Sequence, residues 1–113
     1  MGGKILVIDD EPLILTTVEK ALGKVGYQVT TTSNPGEFVT TLASEGADLL
    51  IVDLHLGGID TEALIAKAQG IAPRARLLII TGSMNSSKWE HSLEKPFKIE
   101  ELRDKVRELL GGP

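Results

Sequence analysis

Three stretches of the chain, Ile5-Leu6-Val7-Ile8, Leu49-Leu50-Ile51-Val52 and Leu77-Leu78-Ile79-Ile80, are apolar at every position. A strand with one face in water alternates apolar and polar residues, so a strand that is apolar throughout must be covered on both faces, as in the interior of a parallel sheet. Tyr27 to Thr32 alternates only in part and is expected nearer a sheet edge. Parallel strands need long crossovers, and helical spacing is found between the runs. Leu15, Val18 and Leu22 recur within Pro12 to Lys24, Phe38, Val39 and Leu42 within Pro35 to Ser44, and Ala63, Leu64 and Lys67 within Asp60 to Gln69. A last stretch, Lys98 to Leu110, puts Ile99, Leu102, Val106 and Leu109 on one face and charges on the other. Pro12 and Pro35 suit first-turn positions, Asn34 and Asp60 can cap, and Gly26, Gly46 and Gly70 can close helices. Alternation with right-handed crossovers predicts a doubly wound α/β sheet with helices on both faces.

At 113 residues, the length fits one domain spanning 1–113, with Gly111-Gly112-Pro113 read as the start of a linker or the chain end. Twelve basic against 16 acidic residues give a net charge of −4, which argues against a nucleic-acid surface. The absence of cysteine excludes disulfides, thiolate metal sites and cysteine nucleophiles. No apolar run exceeds four residues, against the ~20 of a membrane-spanning helix, and the N-terminus lacks a signal-peptide core. Leu6 stands where a myristoylation motif needs Ser or Thr. A soluble protein without membrane association is expected.

In an open α/β sheet, ligands gather beyond the carboxyl ends of the strands. Those ends carry Asp9-Asp10-Glu11, then Asp53, then Thr81-Gly82, and finally Lys95-Pro96-Phe97 after a short segment that could form a fifth strand near His91 to Glu94. Singly, each has an ordinary structural reading as a cap, a strand-end carboxylate, a turn residue or a surface lysine. Together they supply metal ligands, a nucleophile, a hydroxyl and a cation. Three neighbouring carboxylates repel one another unless a cation intervenes, and Mg²⁺, which takes a few carboxylates and several waters, answers that need.

On these motifs the chain resembles a response-regulator receiver domain of two-component signal transduction over nearly its whole length. The matching positions are the acidic pair Asp9-Asp10, Asp53, Thr81, and Lys95 followed by Pro96. The resemblance implies a flavodoxin-like five-stranded parallel sheet in the order 2-1-3-4-5. It further implies that Asp53 accepts a phosphoryl group from a sensor histidine kinase or phosphotransfer protein, with Thr81 and Lys95 assisting. Mg²⁺ would be held by Asp9, Asp10, Asp53 and the main-chain carbonyl of His55. Such a domain is a cytoplasmic phosphoprotein and catalyses only its own phosphorylation and dephosphorylation. Its output domain or partner, and whether it forms a homodimer, are left open.

The chain departs from the family pattern in three places. The loop after Asp53 lacks the usual proline and reads Leu54-His55-Leu56-Gly57-Gly58-Ile59-Asp60. His55, read chiefly as solvent-exposed, stands where a receiver side chain can influence dephosphorylation. Only residues 82–94 separate Thr81 from Lys95, so the fourth helix must be missing or much reduced. Ser92 occupies the position, three before the lysine, where the family commonly places an aromatic that follows the hydroxyl's movement. Trp89 is then expected to cover the core edge left by the lost helix, the alternative being that Trp89 or His91 takes the place of the missing aromatic. Output would pass through Ser83 to Glu90, the final helix or the first helix.

Two other functions compete. A receiver-shaped interaction module independent of phosphorylation would keep the pocket as a remnant. A haloacid-dehalogenase-like phosphatase wants a second aspartate two residues after its nucleophile, where this chain has His55, and a cap domain for which there is no room. A flavin site of flavodoxin type is disfavoured because Asp9-Asp10 would repel the phosphate.

Overall fold

The computed structural model describes residues 3–82 and 88–111. The elements run β1 (Lys4–Ile8), α1 (Pro12–Gly23), β2 (Gln28–Thr32), α2 (Pro35–Glu45), β3 (Leu49–Asp53), α3 (Thr61–Ile71), β4 (Arg76–Thr81), β5 (Ser92–Glu94) and α4 (Ile99–Leu110). All strand pairs are parallel and the order is β2-β1-β3-β4-β5, as expected. The apolar tetrads become inner strands, with β3 buried at every position. β2 is an edge and keeps alternate residues exposed.

The two-residue period of the strands divides the core. Ile5, Val7, Leu49, Ile51, Leu78 and Ile80 point to one face and meet Val18 and Leu22 of α1 and Leu102, Val106 and Leu109 of α4. Leu6, Ile8, Leu50, Val52 and Ile79 point to the other and meet Phe38 and Leu42 of α2 and Leu64, Ile65 and Ala68 of α3. Among the described residues no helix lies between β4 and β5. Trp89 packs against the α2–α3 face instead, in the layer that includes Ala72, Ala75 and Leu77. Residues 83–87, part of the segment through which output was expected to pass, lie outside the described residues.

Caps follow the local chemistry. Asn34 Oδ1 accepts from Glu37 N–H at 2.9 Å and Asp60 Oδ1 from Ala63 N–H at 3.1 Å. Gly46, at φ 73°, closes α2 in a conformation that L side chains avoid. Gly70 does not close α3, which runs on to Ile71; the break comes at Ala72, because Pro73 disfavours the helical region for the residue before it. The buried stripe of α3 is also rotated from the expected one. Ala63 and Lys67 are exposed, and Thr61, Leu64, Ile65 and Ala68 face inward at the spacing an amphipathic helix requires. Ile99, the first residue of α4, is exposed, whereas the later members of its stripe are buried.

Candidate functional site

The parallel register brings the carboxyl ends of β1, β3, β4 and β5 to one edge of the sheet. Asp53 is the last residue of β3 and pairs in register with Ile80; Thr81 follows and pairs with Glu94. Lys95 N–H donates to the Thr81 carbonyl at 2.8 Å, and the Lys95–Pro96 peptide is cis. Asp9, immediately after β1, donates its N–H to the Thr32 carbonyl at 3.3 Å. Asp9, Asp53 and Thr81 are buried and Asp10 and Glu11 are exposed. The pocket therefore has a closed floor and an open acidic rim.

Lys95 Nζ joins the strands across this pocket. It lies 3.0 Å from Asp9 Oδ2, 2.6 Å from Glu11 Oε1 and 3.4 Å from Asp53 Oδ2. Burial works against its charge, but the hydrogen bond to Glu11, the close contact with Asp9 and the fields of Asp9 and Asp53 outweigh it, so its pKa rises above the ordinary lysine value. Lys95 stays a cation at any physiological pH. Asp53 Oδ1 accepts from His55 N–H at 3.1 Å, which fixes the carboxylate at the start of its loop. Asp10 Oδ2 accepts from Gly57 N–H at 3.4 Å and ties the two acidic loops together. The His55 side chain is exposed as expected, yet its Nε2 lies 3.3 Å from Thr81 Oγ1.

Asp9, Asp10, Glu11 and Asp53 each present a carboxylate oxygen within 4.8 Å of the others. An all-oxygen set suits a hard divalent ion such as Mg²⁺ or Ca²⁺. Buried Asp9 Oδ2 makes no well-formed hydrogen bond despite the nearby ammonium, and so retains acceptor capacity. The donor chemistry thus fits a divalent ion. Glu11 is the member to which the sequence assigned no role, although its place in an unbroken run of three acids was the available signal.

Burial raises the Asp9 pKa above 3.8, and the Asp53 charge adds to this, against the lowering effect of the Glu11 N–H and Lys95. A carboxyl raised in this way keeps its proton in the folded state after the unfolded chain has released it, so it costs stability as pH rises through that window. Metal-free Asp9→Asn is accordingly expected to be more stable than wild type, by a margin that widens as pH rises from 4 through the raised value. Thermal melts in EDTA read this margin. Mg²⁺ at about ten times its dissociation constant should add about 1.4 kcal/mol to the wild type by mass action, a shift of several degrees.

The fold and the edge define a parallel α/β domain with a buried aspartate and a lysine in one acidic pocket, and comparison with known proteins gives its family. Residues 5–107 match the response regulator receiver domain, and the chain belongs to that family. It is similar to sporulation initiation phosphotransferase F of Bacillus subtilis (strain 168), with 28% identity over 97% of this chain and 95% of that protein. It is also similar to the DNA-binding transcriptional regulator NtrC of Salmonella typhimurium, with 31% identity over 88% of this chain but only 23% of that protein. A response regulator receiver domain protein (CheY-like) from Methanospirillum hungatei JF-1 shares the fold, with a TM-score of 0.89 and 24% identity over 98% of this chain and 95% of the other. A response regulator from Burkholderia pseudomallei, solved with a phosphorylated aspartic acid, calcium ion and citrate, superposes with a TM-score of 0.81. It is 29% identical over 91% of this chain and 65% of its own. No helix among the described residues is long and apolar enough to cross a membrane.

Proposed function

We propose that the chain is a phosphorylation-dependent switch in which Asp53 takes a phosphoryl group from a phosphohistidine of a sensor kinase or phosphotransfer protein. The carrying observation is the position of Asp53, buried at the end of a central strand, 3.4 Å from the only cation that reaches it among the described residues. An Asp53 carboxylate oxygen attacks phosphorus as the P–N bond to the donor imidazole breaks, leaving an acyl phosphate on Asp53. Charge spreads over the phosphoryl oxygens during transfer, so the chain's contribution is positioning and neutralisation. Lys95 neutralises one oxygen. Thr81 turns its hydroxyl from His55 to another, and that movement is the switch. Mg²⁺, held by Asp9, Asp10, Asp53 and the His55 carbonyl, would neutralise the remaining charge.

On this reading residues 1–113 form one receiver domain of a cytoplasmic phosphoprotein. It catalyses reactions of its own Asp53 only and does not bind nucleic acid directly. The phosphorylated aspartic acid in the Burkholderia relative supports the chemistry. The rival reading, an interaction module without phosphorylation, draws on Ser92 in the aromatic's position and on the short β4–β5 connection. Incubation with Mg²⁺ and acetyl phosphate separates the two. The switch predicts an acid-labile gain of one phosphate in the wild type and none in Asp53→Asn. No gain in either protein favours the module.

A further inference from the structure

Glu11 occupies the N-cap of α1, yet its side chain caps nothing. Its own N–H is accepted by Asp9 Oδ1 at 2.9 Å, and Ser, Thr, Asp or Asn would serve better at such a position. Local helix chemistry therefore does not explain a glutamate here. Pro12 restricts the residue before it to extended backbone, and Glu11 sits at φ −100°, ψ 110°. That conformation sends the longer side chain across the pocket mouth to Lys95, the partner of its carboxylate among the described residues.

Of the three carboxylates around Lys95 Nζ, Glu11 is nearest at 2.6 Å and Asp53 is furthest at 3.4 Å. The Glu11 side chain is 59% exposed and that of Asp53 only 4%. Exposed ion pairs are weak and easily exchanged for water. Of the three, Glu11 can therefore be displaced most readily.

We propose that Glu11 is a positioning residue that draws the Lys95 ammonium toward the pocket mouth, leaving it the longer 3.4 Å contact with Asp53 in the resting pocket, and must release it before Lys95 can meet the incoming phosphoryl oxygens. The inference deepens the phosphoryl-acceptor reading and rests on it. Glu11 acts through Lys95 and touches no reacting atom. Its removal should speed phosphoryl uptake, whereas loss of an ordinary structural contact would leave the rate unchanged or slow it.

The test uses the full chain with acetyl phosphate and saturating Mg²⁺. The rate of acid-labile phosphate incorporation is followed in wild type, Glu11→Gln and Glu11→Asp, and Glu11→Gln is repeated in a Lys95→Ala background. In metal-free protein, the Lys95 side-chain ammonium signal is observed by NMR in the first three. Glu11→Gln is expected to be about three- to fivefold faster, about 0.6–1 kcal/mol at 1.36 kcal/mol per decade. Glu11→Asp keeps the charge at the mouth but is one methylene too short to hold Lys95, so it should behave like Glu11→Gln. Both should shift the ammonium signal, and the acceleration should vanish when Lys95 is already alanine.

Wild-type speed in Glu11→Asp beside a fast Glu11→Gln would assign the effect to charge at the mouth and overturn the proposal. An unshifted ammonium signal, an unchanged Glu11→Gln rate, or acceleration that survives without Lys95 would overturn it as well. Each of these outcomes leaves phosphorylation of Asp53 standing, whereas a wild type that gains no phosphate removes both readings together.

Discussion

Lys95→Ala is expected to slow phosphoryl uptake by Asp53 about 10²- to 10³-fold, the usual cost of removing one preorganised charge-stabilising donor. The same change should weaken the metal-free fold. Lys95 is the cation against two buried carboxylates, Asp9 and Asp53, and without it their repulsion has no counter-charge in the pocket. Stripping a partner from a buried charge costs about 3–5 kcal/mol, and partial exposure of this pocket reduces the figure to about 2–4 kcal/mol. Denaturant melts in EDTA and in Mg²⁺ separate the two consequences. The stability deficit should shrink in Mg²⁺, which restores positive charge, while the rate deficit persists. Equal stability of mutant and wild type in EDTA would show that Lys95 does not neutralise the resting pocket.

Phe38→Ala should lower stability by about 3–5 kcal/mol, the range for an aromatic truncated in a packed core. Phe38 is fully buried in the layer between α2 and the sheet, among Leu6, Ile8, Leu50 and Val52. These residues lie on rigid inner strands, so the space left behind cannot readily collapse. For a domain near this size each kcal/mol moves the melting temperature by about 4–8 °C, so a fall of well over 10 °C is expected. A fall of only a few degrees would mean that α2 rearranges to fill the void. Phosphoryl uptake measured well below the melting temperature should change little, because Phe38 packs on the sheet face and not at the pocket edge.

Much of this fold could be read from the chain because its signals are local. An all-apolar tetrad has to be an inner strand whatever surrounds it, and Asn34 and Asp60 cap from within their own turns. Element ends predicted from such features lie within about two residues of those observed. Gly70 shows where local reading stops, since the helix terminus was set by Pro73 and not by the more permissive residue. The stripe of α3 was misplaced for a related reason. Its true inward set includes Thr61, a polar residue whose burial depends on the layer above it.

The candidate site divides in the same way. Acids at the ends of β1 and β3, a hydroxyl at the end of β4 and a lysine after β5 were all legible, because strand ends are legible and parallel order gathers them at one edge. The contacts among them were not. Glu11 and Lys95 stand 84 positions apart, and their 2.6 Å approach exists only once β1, β3, β4 and β5 are laid side by side in register. The same holds for the meeting of His55 with Thr81, and for Trp89 packing where the family would place a helix. Residue order alone thus settled which groups arrive at the pocket, since period and punctuation are properties of short segments. Which carboxylate the ammonium leans on was decided by the assembled sheet, because that depends on differences of tenths of an ångström between atoms that no local rule relates.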